Sequence, residues 1–88
     1  MLKVHKVSGT SMMPYFRPDQ HVFSLQTKKI KPNDVVVFKY KNENFIKRVR
    51  AVSKYFFNVV SDNQSYPSEV TGINLDKKFL IGKVIFKW

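Results

Sequence analysis

Apolar residues in this chain fall in short runs rich in β-branched and aromatic side chains, without helical spacing, and such a pattern admits little besides a set of short strands. The expected class is all-β. Strands are expected at His21–Gln26, Val35–Tyr40, Phe45–Val52, Tyr55–Val60 and Phe79–Phe86. Residues that fix φ or hydrogen-bond their own backbone fill the gaps, at Pro32-Asn33-Asp34, Lys41-Asn42-Glu43-Asn44 and Ser61-Asp62-Asn63-Gln64-Ser65. A short helical turn is allowed after Pro14, but no segment is long and periodic enough for a helix. No internal repeat or low-complexity segment is visible.

At 88 residues the chain is expected to form a single domain, residues 1–88, since domains run from roughly 50 to 250 residues. Its 43 % apolar and 15 % aromatic content excludes a disordered tail. There is no cysteine, which excludes a disulfide framework, a thiolate zinc site and a cysteine nucleophile. His5 and His21 lie 16 positions apart with no acidic cluster nearby, so they read as surface or strand residues and no metal site or cofactor is expected. No apolar run approaches the roughly 18 residues of a membrane-spanning helix, and the N-terminus lacks the apolar core of a signal peptide. A soluble protein is expected, cytoplasmic or peripherally associated with a membrane.

The run Val35-Val36-Val37-Phe38 is continuously apolar, as for a strand covered on both faces, whereas Phe45 to Val52 alternates. On a strand, Phe45, Lys47, Val49 and Ala51 share one face and Ile46, Arg48, Arg50 and Val52 the other. Lys47 therefore sits among apolar neighbours. Burial disfavours the charged ammonium and lowers a lysine's pKa, which a lysine general base near neutral pH requires. The alternative is a side chain that snorkels its ammonium to water. Arg48 is no such base, because a guanidinium stays protonated.

The segment Val7-Ser8-Gly9-Thr10-Ser11-Met12-Met13-Pro14 places a serine between a glycine and two methionines. Gly9 permits close backbone approach, Pro14 fixes the exit, and Met12 and Met13 are large apolar groups. Ser11 is thus held in a shaped turn. Its hydroxyl is a weak nucleophile until a base accepts the proton, and an uncharged lysine can be that base. A serine in a glycine-containing turn is otherwise a turn-forming residue.

These segments resemble the signatures of the type I signal peptidases and the LexA-like self-cleaving peptidases, which share a β-rich fold and a Ser-Lys dyad. The first is matched by Val7, Gly9, Ser11, Met12 and Pro14; the second, an acidic turn before an apolar strand, by Asn33-Asp34-Val35-Val36-Val37-Phe38. Phe45-Ile46-Lys47-Arg48-Val49 matches the third, and Val59-Val60-Ser61-Asp62-Asn63 followed by Ile81-Gly82-Lys83-Val84 the fourth. Asn33 stands where the family usually has Gly. Asp19-Gln20 replaces a common Gly-Asp turn, and Ser65-Tyr66-Pro67-Ser68-Glu69 is nearer the LexA-like branch than the signal peptidases. The resemblance covers almost the whole chain and implies a compact, twisted β-barrel of short strands.

The resemblance implies that Ser11 is the nucleophile and Lys47, 36 residues later, its general base. The oxyanion would be held by the Ser11 N–H, helped by Thr10, a contribution of about 2.7–4 kcal/mol per donor. Peptides dock on this family as an added strand, and Met12, Met13 and Phe16 either line that surface or pack the interior. Gly9, Pro14, Asp34, Asp62 and Asn63 are expected to support the site. Ten residues precede Ser11, with no Ala-Gly or Cys-Gly pair among them, so cleavage of a protein substrate in trans, removing a leader or signal-like segment, is expected over self-cleavage. The competing reading is an inactive or LexA-like descendant that binds a protein or nucleic acid. Sixteen basic against six acidic residues give a net charge of +10, and Lys28, Lys29 and Lys31 cluster in a loop. Such charge suits phosphates, anionic lipid headgroups or simple solubility. Nucleic acid is disfavoured because no oligonucleotide-binding signature is visible.

Overall fold

In the computed structural model, which describes residues 2–7, 12–13, 15–63 and 69–87, the continuously apolar run becomes the centre of one antiparallel sheet. The strands are β1 (Leu2–Lys6), β2 (His21–Leu25), β3 (Val35–Tyr40), β4 (Glu43–Val52), β5 (Phe56–Val60), β6 (Leu75–Asp76) and β7 (Leu80–Lys87). Their order is β1-β2-β7-β3-β4-β5-β6. The protein is mainly β, as expected, and each expected strand is present. Two strands lack a sequence signal: β1 is mostly exposed and β6 is only two residues long.

Side chains of β3 point alternately to two cores, which explains the unbroken apolar run. Val36 and Phe38 join a first cluster with Val49, Phe57, Val59, Val70, Leu75 and Leu80. Val35 joins a second, with Val7, Met12, Phe16 and Val22. The sheet thus buries one face at its β4–β5–β6 end and the opposite face at its β1–β2 end.

Three local expectations are corrected. The turn after β3 is Lys41-Asn42 alone, both with positive φ (49° and 64°), while Glu43 and Asn44 already pair with Tyr40 and Lys39. Two central residues in the left-handed region give the tight hairpin whose twist matches its strands. The alternation of β4 breaks at a bulge between Val49 and Ala51, so Val52 rather than Ala51 packs against the first cluster. Around Pro14, the described residues show one turn closed by the Phe16 N–H on the Met12 carbonyl (2.9 Å). The helical turn lies at Lys77–Phe79, where the Asp76 carboxylate accepts the Lys78 N–H at 2.9 Å, so β7 starts one residue later than expected.

Gly82 permits β7 to pass close to β2. A Cβ there would meet the Leu25 carbonyl oxygen at 2.7 Å, a backbone atom that has nowhere to go. Gly82→Ala is therefore expected to lower the unfolding free energy by about 2–3 kcal/mol, read from the midpoint of a urea titration.

Candidate active site

The β3–β4 hairpin fixes the position of Lys47. Its ladder sets Lys47 opposite Val36 and Phe45 opposite Phe38, so the lysine lies on the strand face that carries Phe45 and Val49. Lys47 is 4 % exposed, which sets aside the snorkelling alternative. Burial pushes its ammonium below the ordinary lysine pKa, because a charged group loses hydration that apolar neighbours do not replace. Its Nζ lies 5.9 Å from the Phe45 ring centroid.

Lys47 lines a cleft of about 300 Å³. One wall comes from β3 and the start of β4: Val37, Glu43, Asn44, Phe45 and Ile46. The other comes from the end of β1 and the chain beyond it: His5, Lys6, Val7 and Met12. The β4 ladder with β5 begins only at Arg48, so the cleft-lining stretch Glu43–Ile46 pairs with β3 alone among the described residues. β1 is likewise an end strand, paired with β2. Two strand borders thus flank the cleft.

Val7 and Met12 are both firmly placed. The Val7 N–H donates to the Gln20 carbonyl and its own carbonyl accepts from Asp19, each at 2.8 Å. Met12 is 2 % exposed and packs in the second cluster beside Val7. Gly9, Thr10, Ser11 and Pro14 lie outside the described residues, as does the stretch 64–68. Phe16 has no exposed surface and does not line the Lys47 cleft; it packs the second core, which corrects its assignment to a substrate surface there. Met13 is half-buried.

Asp62, one of the acids expected to support the site, pairs with the arginine that follows Lys47 in the signature segment. Arg48, on the opposite face of β4 from Lys47, holds Asp62 with two parallel bonds, Nε to Oδ1 at 2.7 Å and Nη2 to Oδ2 at 2.8 Å. Its third nitrogen donates to the Asn33 carbonyl at 2.9 Å, and the guanidinium lies 4.6 Å from the Tyr15 ring centroid. The Asp62 hydrogen bond raises the arginine pKa. One planar fork therefore ties the Asn33 turn, the Asp62 turn and the Tyr15 segment to β4. Asp34 makes a second tie: its carbonyl accepts the Val49 N–H at 2.7 Å and its carboxylate accepts the Lys31 N–H at 3.0 Å. Asn63 is half-buried beside Asp62. The Lys-Arg pair at the start of an alternating strand is the signal that would have found Arg48, since neighbours there point to opposite faces.

A second serine merits comparison. Ser24 Oγ lies 2.9 Å from His5 Nε2, a serine–imidazole pair whose histidine lines the same cleft. Ser24 is 1 % exposed, however, so its hydroxyl cannot reach a substrate carbonyl. Burial, and then the charge of Lys3, hold the His5 pKa below its ordinary value.

Lys47 shares its cleft with Val7 and Met12, and the family comparison is decisive: the Peptidase S24-like profile matches residues 2–85. The chain belongs to the Peptidase S24-like family. A comparison with curated proteins matches none. The match spans both walls of the cleft and all seven strands of this Peptidase S24-like chain except the last two residues of β7. Among the described residues, no helix is long and apolar enough to cross a membrane, and no three His, Asp or Glu side chains form a cluster that could hold a metal ion.

Asp62→Ala is expected to cost about 2 kcal/mol, because it strips a bidentate, largely buried arginine of its partner. For a domain of this size that corresponds to a fall in Tm on the order of 10 °C by calorimetry. Asp19→Ala, which breaks an ion pair with Lys6 whose side chains are 63 % and 83 % exposed, is expected to shift stability by less than about 0.5 kcal/mol.

Proposed function

We propose that this Peptidase S24-like chain is a serine endopeptidase in which Lys47 is the general base for Ser11, cutting a leader or signal-like segment from a separate protein substrate. One observation carries the reading. The buried Lys47, its pKa lowered, lines a cleft whose far wall includes Val7 and Met12, the described residues that bracket segment 8–11. A base selected for proton transfer must be uncharged at working pH, and apolar burial is the means available to a lysine.

In the proposed reaction uncharged Lys47 takes the Ser11 hydroxyl proton as Oγ attacks the scissile carbonyl carbon. The negative charge that develops on the carbonyl oxygen is met by the Ser11 N–H, with Thr10 beside it. Collapse breaks the C–N bond, and the Lys47 ammonium returns its proton to the departing amine. Water then attacks the ester, again with Lys47 as proton acceptor, and releases the acid and the free Ser11 hydroxyl. The substrate is proposed to dock extended along the strand borders that flank the cleft, with the half-buried Met13 contacting its side chains and the buried Met12 backing the cleft wall. Gly9 and Pro14 shape the turn that carries Ser11, while Asp34, Asp62 and Asn63 brace the loops around it.

The test is digestion of a mixed peptide library by wild type, Ser11→Ala and Lys47→Ala, read by mass spectrometry. Wild-type cuts are expected to disappear in both variants, a loss on the order of 10³-fold or more in rate. Because the reactive form is the neutral amine, activity is expected to rise with pH through the Lys47 pKa. The lowered value moves that rising limb below the ordinary lysine value of 10.5. Cuts that persist in Lys47→Ala would remove Lys47 from the mechanism. Silence from all three proteins would instead favour a family member that binds a partner without cutting it.

A further inference from the structure

Lysines and exposed aromatic rings are interleaved on a surface that shares no residue with the Lys47 cleft. A shallow depression gathers Lys28, Lys29, Lys31, Lys77 and Lys83. The Lys28 ammonium donates to the carbonyls of Lys77 (2.6 Å) and Leu80 (3.1 Å), which ties the loop between β2 and β3 to the helical turn Lys77–Phe79. That turn is tied in its own right to the connection between β4 and β5, because the Lys77 N–H donates to the Tyr55 carbonyl at 2.9 Å and Phe56 lies opposite Asp76. Three segments distant in sequence therefore form one surface.

The rings on it face solvent. Tyr55, Phe56 and Phe79 are 62, 44 and 43 % exposed, whereas Phe57, which points to the other side of β5, is buried. Lys54 Nζ lies 5.3 Å from the Tyr55 ring centroid, and Lys78 Nζ lies 5.2 Å from that of Phe79. Both separations are within cation–π range, so each pair presents a flat ring and a positive charge together. The carboxylates that border the surface are taken up within the chain. Asp34 accepts the Lys31 N–H at 3.0 Å and pairs with the Lys83 ammonium at 3.6 Å, and Asp76 accepts the Lys78 N–H at 2.9 Å. Seven lysines beside two such carboxylates leave the surface strongly positive.

A matching ligand carries repeated negative charge with flat groups between the charges. Single-stranded nucleic acid has both, since its phosphates meet ammonium groups while its bases stack on aromatic rings. A duplex offers the phosphates but keeps its bases stacked on one another, so the exposed rings would gain nothing from it. An acidic protein or an anionic lipid surface would use the lysines and leave the spaced ring–ammonium pairs without a role.

We propose that the surface formed by the loop between β2 and β3, the connection between β4 and β5, and the turn Lys77–Phe79 binds single-stranded nucleic acid, with the lysine depression following the phosphates and Tyr55 and Phe79 stacking bases. No linear signature marks such a surface in the sequence, because three separate segments assemble it. The proposal is independent of the peptidase reading and needs no catalysis.

Fluorescence anisotropy with labelled deoxythymidine and uridine oligomers of about 20 nucleotides, and with a duplex of equal length, tests it over a series of salt concentrations. Wild type is expected to bind both single strands at least about tenfold more tightly than the duplex, with affinity falling as salt rises. Tyr55→Ala with Phe79→Ala is expected to weaken binding by about tenfold or more at an unchanged salt slope and with a wild-type circular dichroism spectrum. Lys29→Glu with Lys31→Glu is expected to weaken it by a similar factor and to flatten the slope. Either pair can carry the test if the other disturbs folding. Absence of single-strand binding by wild type would overturn the proposal, as would duplex binding of equal strength. Undiminished affinity of the Tyr55→Ala, Phe79→Ala protein would also overturn it, because charge alone would then account for the binding. Wild type that sediments with phosphatidylserine vesicles while leaving the oligomers unbound would assign the lysines to a lipid surface instead.

Discussion

The register of the β3–β4 hairpin is the constraint on which the cleft depends. Lys41 and Asn42 both adopt positive φ, and that two-residue turn sets Tyr40 against Glu43 and, further along, Val36 against Lys47. A slip of one residue would carry every β4 side chain to the other face. It would put Arg48, a group that cannot shed its proton, where Lys47 now lies, and would pull the arginine away from Asp62. The continuous apolar run of β3 does not itself resist such a slip, because both its faces are apolar. Resistance comes from the turn and from the opposed demands of Lys47 and Arg48 on the two faces of β4.

Those demands explain the distribution of acids. Burying the Lys47 ammonium disfavours its charged form. One residue away, the charge is wanted, and Asp62 meets Arg48 with both carboxylate oxygens. A planar fork with two parallel bonds is orientationally specific in a way that an ammonium is not, so Arg48 can fix the loops that carry Asn33 and Asp62. Adjacent basic residues on one strand are thus turned into different surroundings by the pleat of the sheet. The buried amine and the charged clamp lie on opposite faces of β4.

Much of this was legible in the sequence, for identifiable reasons. Strand β3 and the core of β4 carry strong signals, because double-sided burial requires an apolar run and single-sided burial requires alternation. The neighbours Phe45 and Val49 raised burial of Lys47 but left a snorkelling side chain equally open, because alternation fixes the face of a side chain and not the reach of its ammonium. What escaped reading depends on contacts distant in sequence. Strand β1 exposes Leu2 and Val4 and owes its existence to pairing with β2; the two-residue β6 owes its own to β5. The bulge after Val49 shifts Val52 inward, and no local signal marks it. For Phe16 the sequence left both a substrate surface and the interior open, and the second core takes it in entirely because Val7, Val22 and Val35 converge there from three parts of the chain. The Arg48–Asp62 clamp spans 14 residues and becomes visible only once β5 returns alongside β4.

Strand β1 shows the same pleat on a second strand. Leu2 and Val4 lie on one side of it, opposite Leu25 and Phe23, while His5, and Val7 just beyond the strand, border the Lys47 cleft. The position of that cleft border therefore depends on the β1–β2 register, which sets Lys6 opposite His21 and is continued by the Val7 N–H on the Gln20 carbonyl. A slip of one residue along β2 would turn His5 away from Ser24 and from the cleft, as a slip of β4 would turn away Lys47.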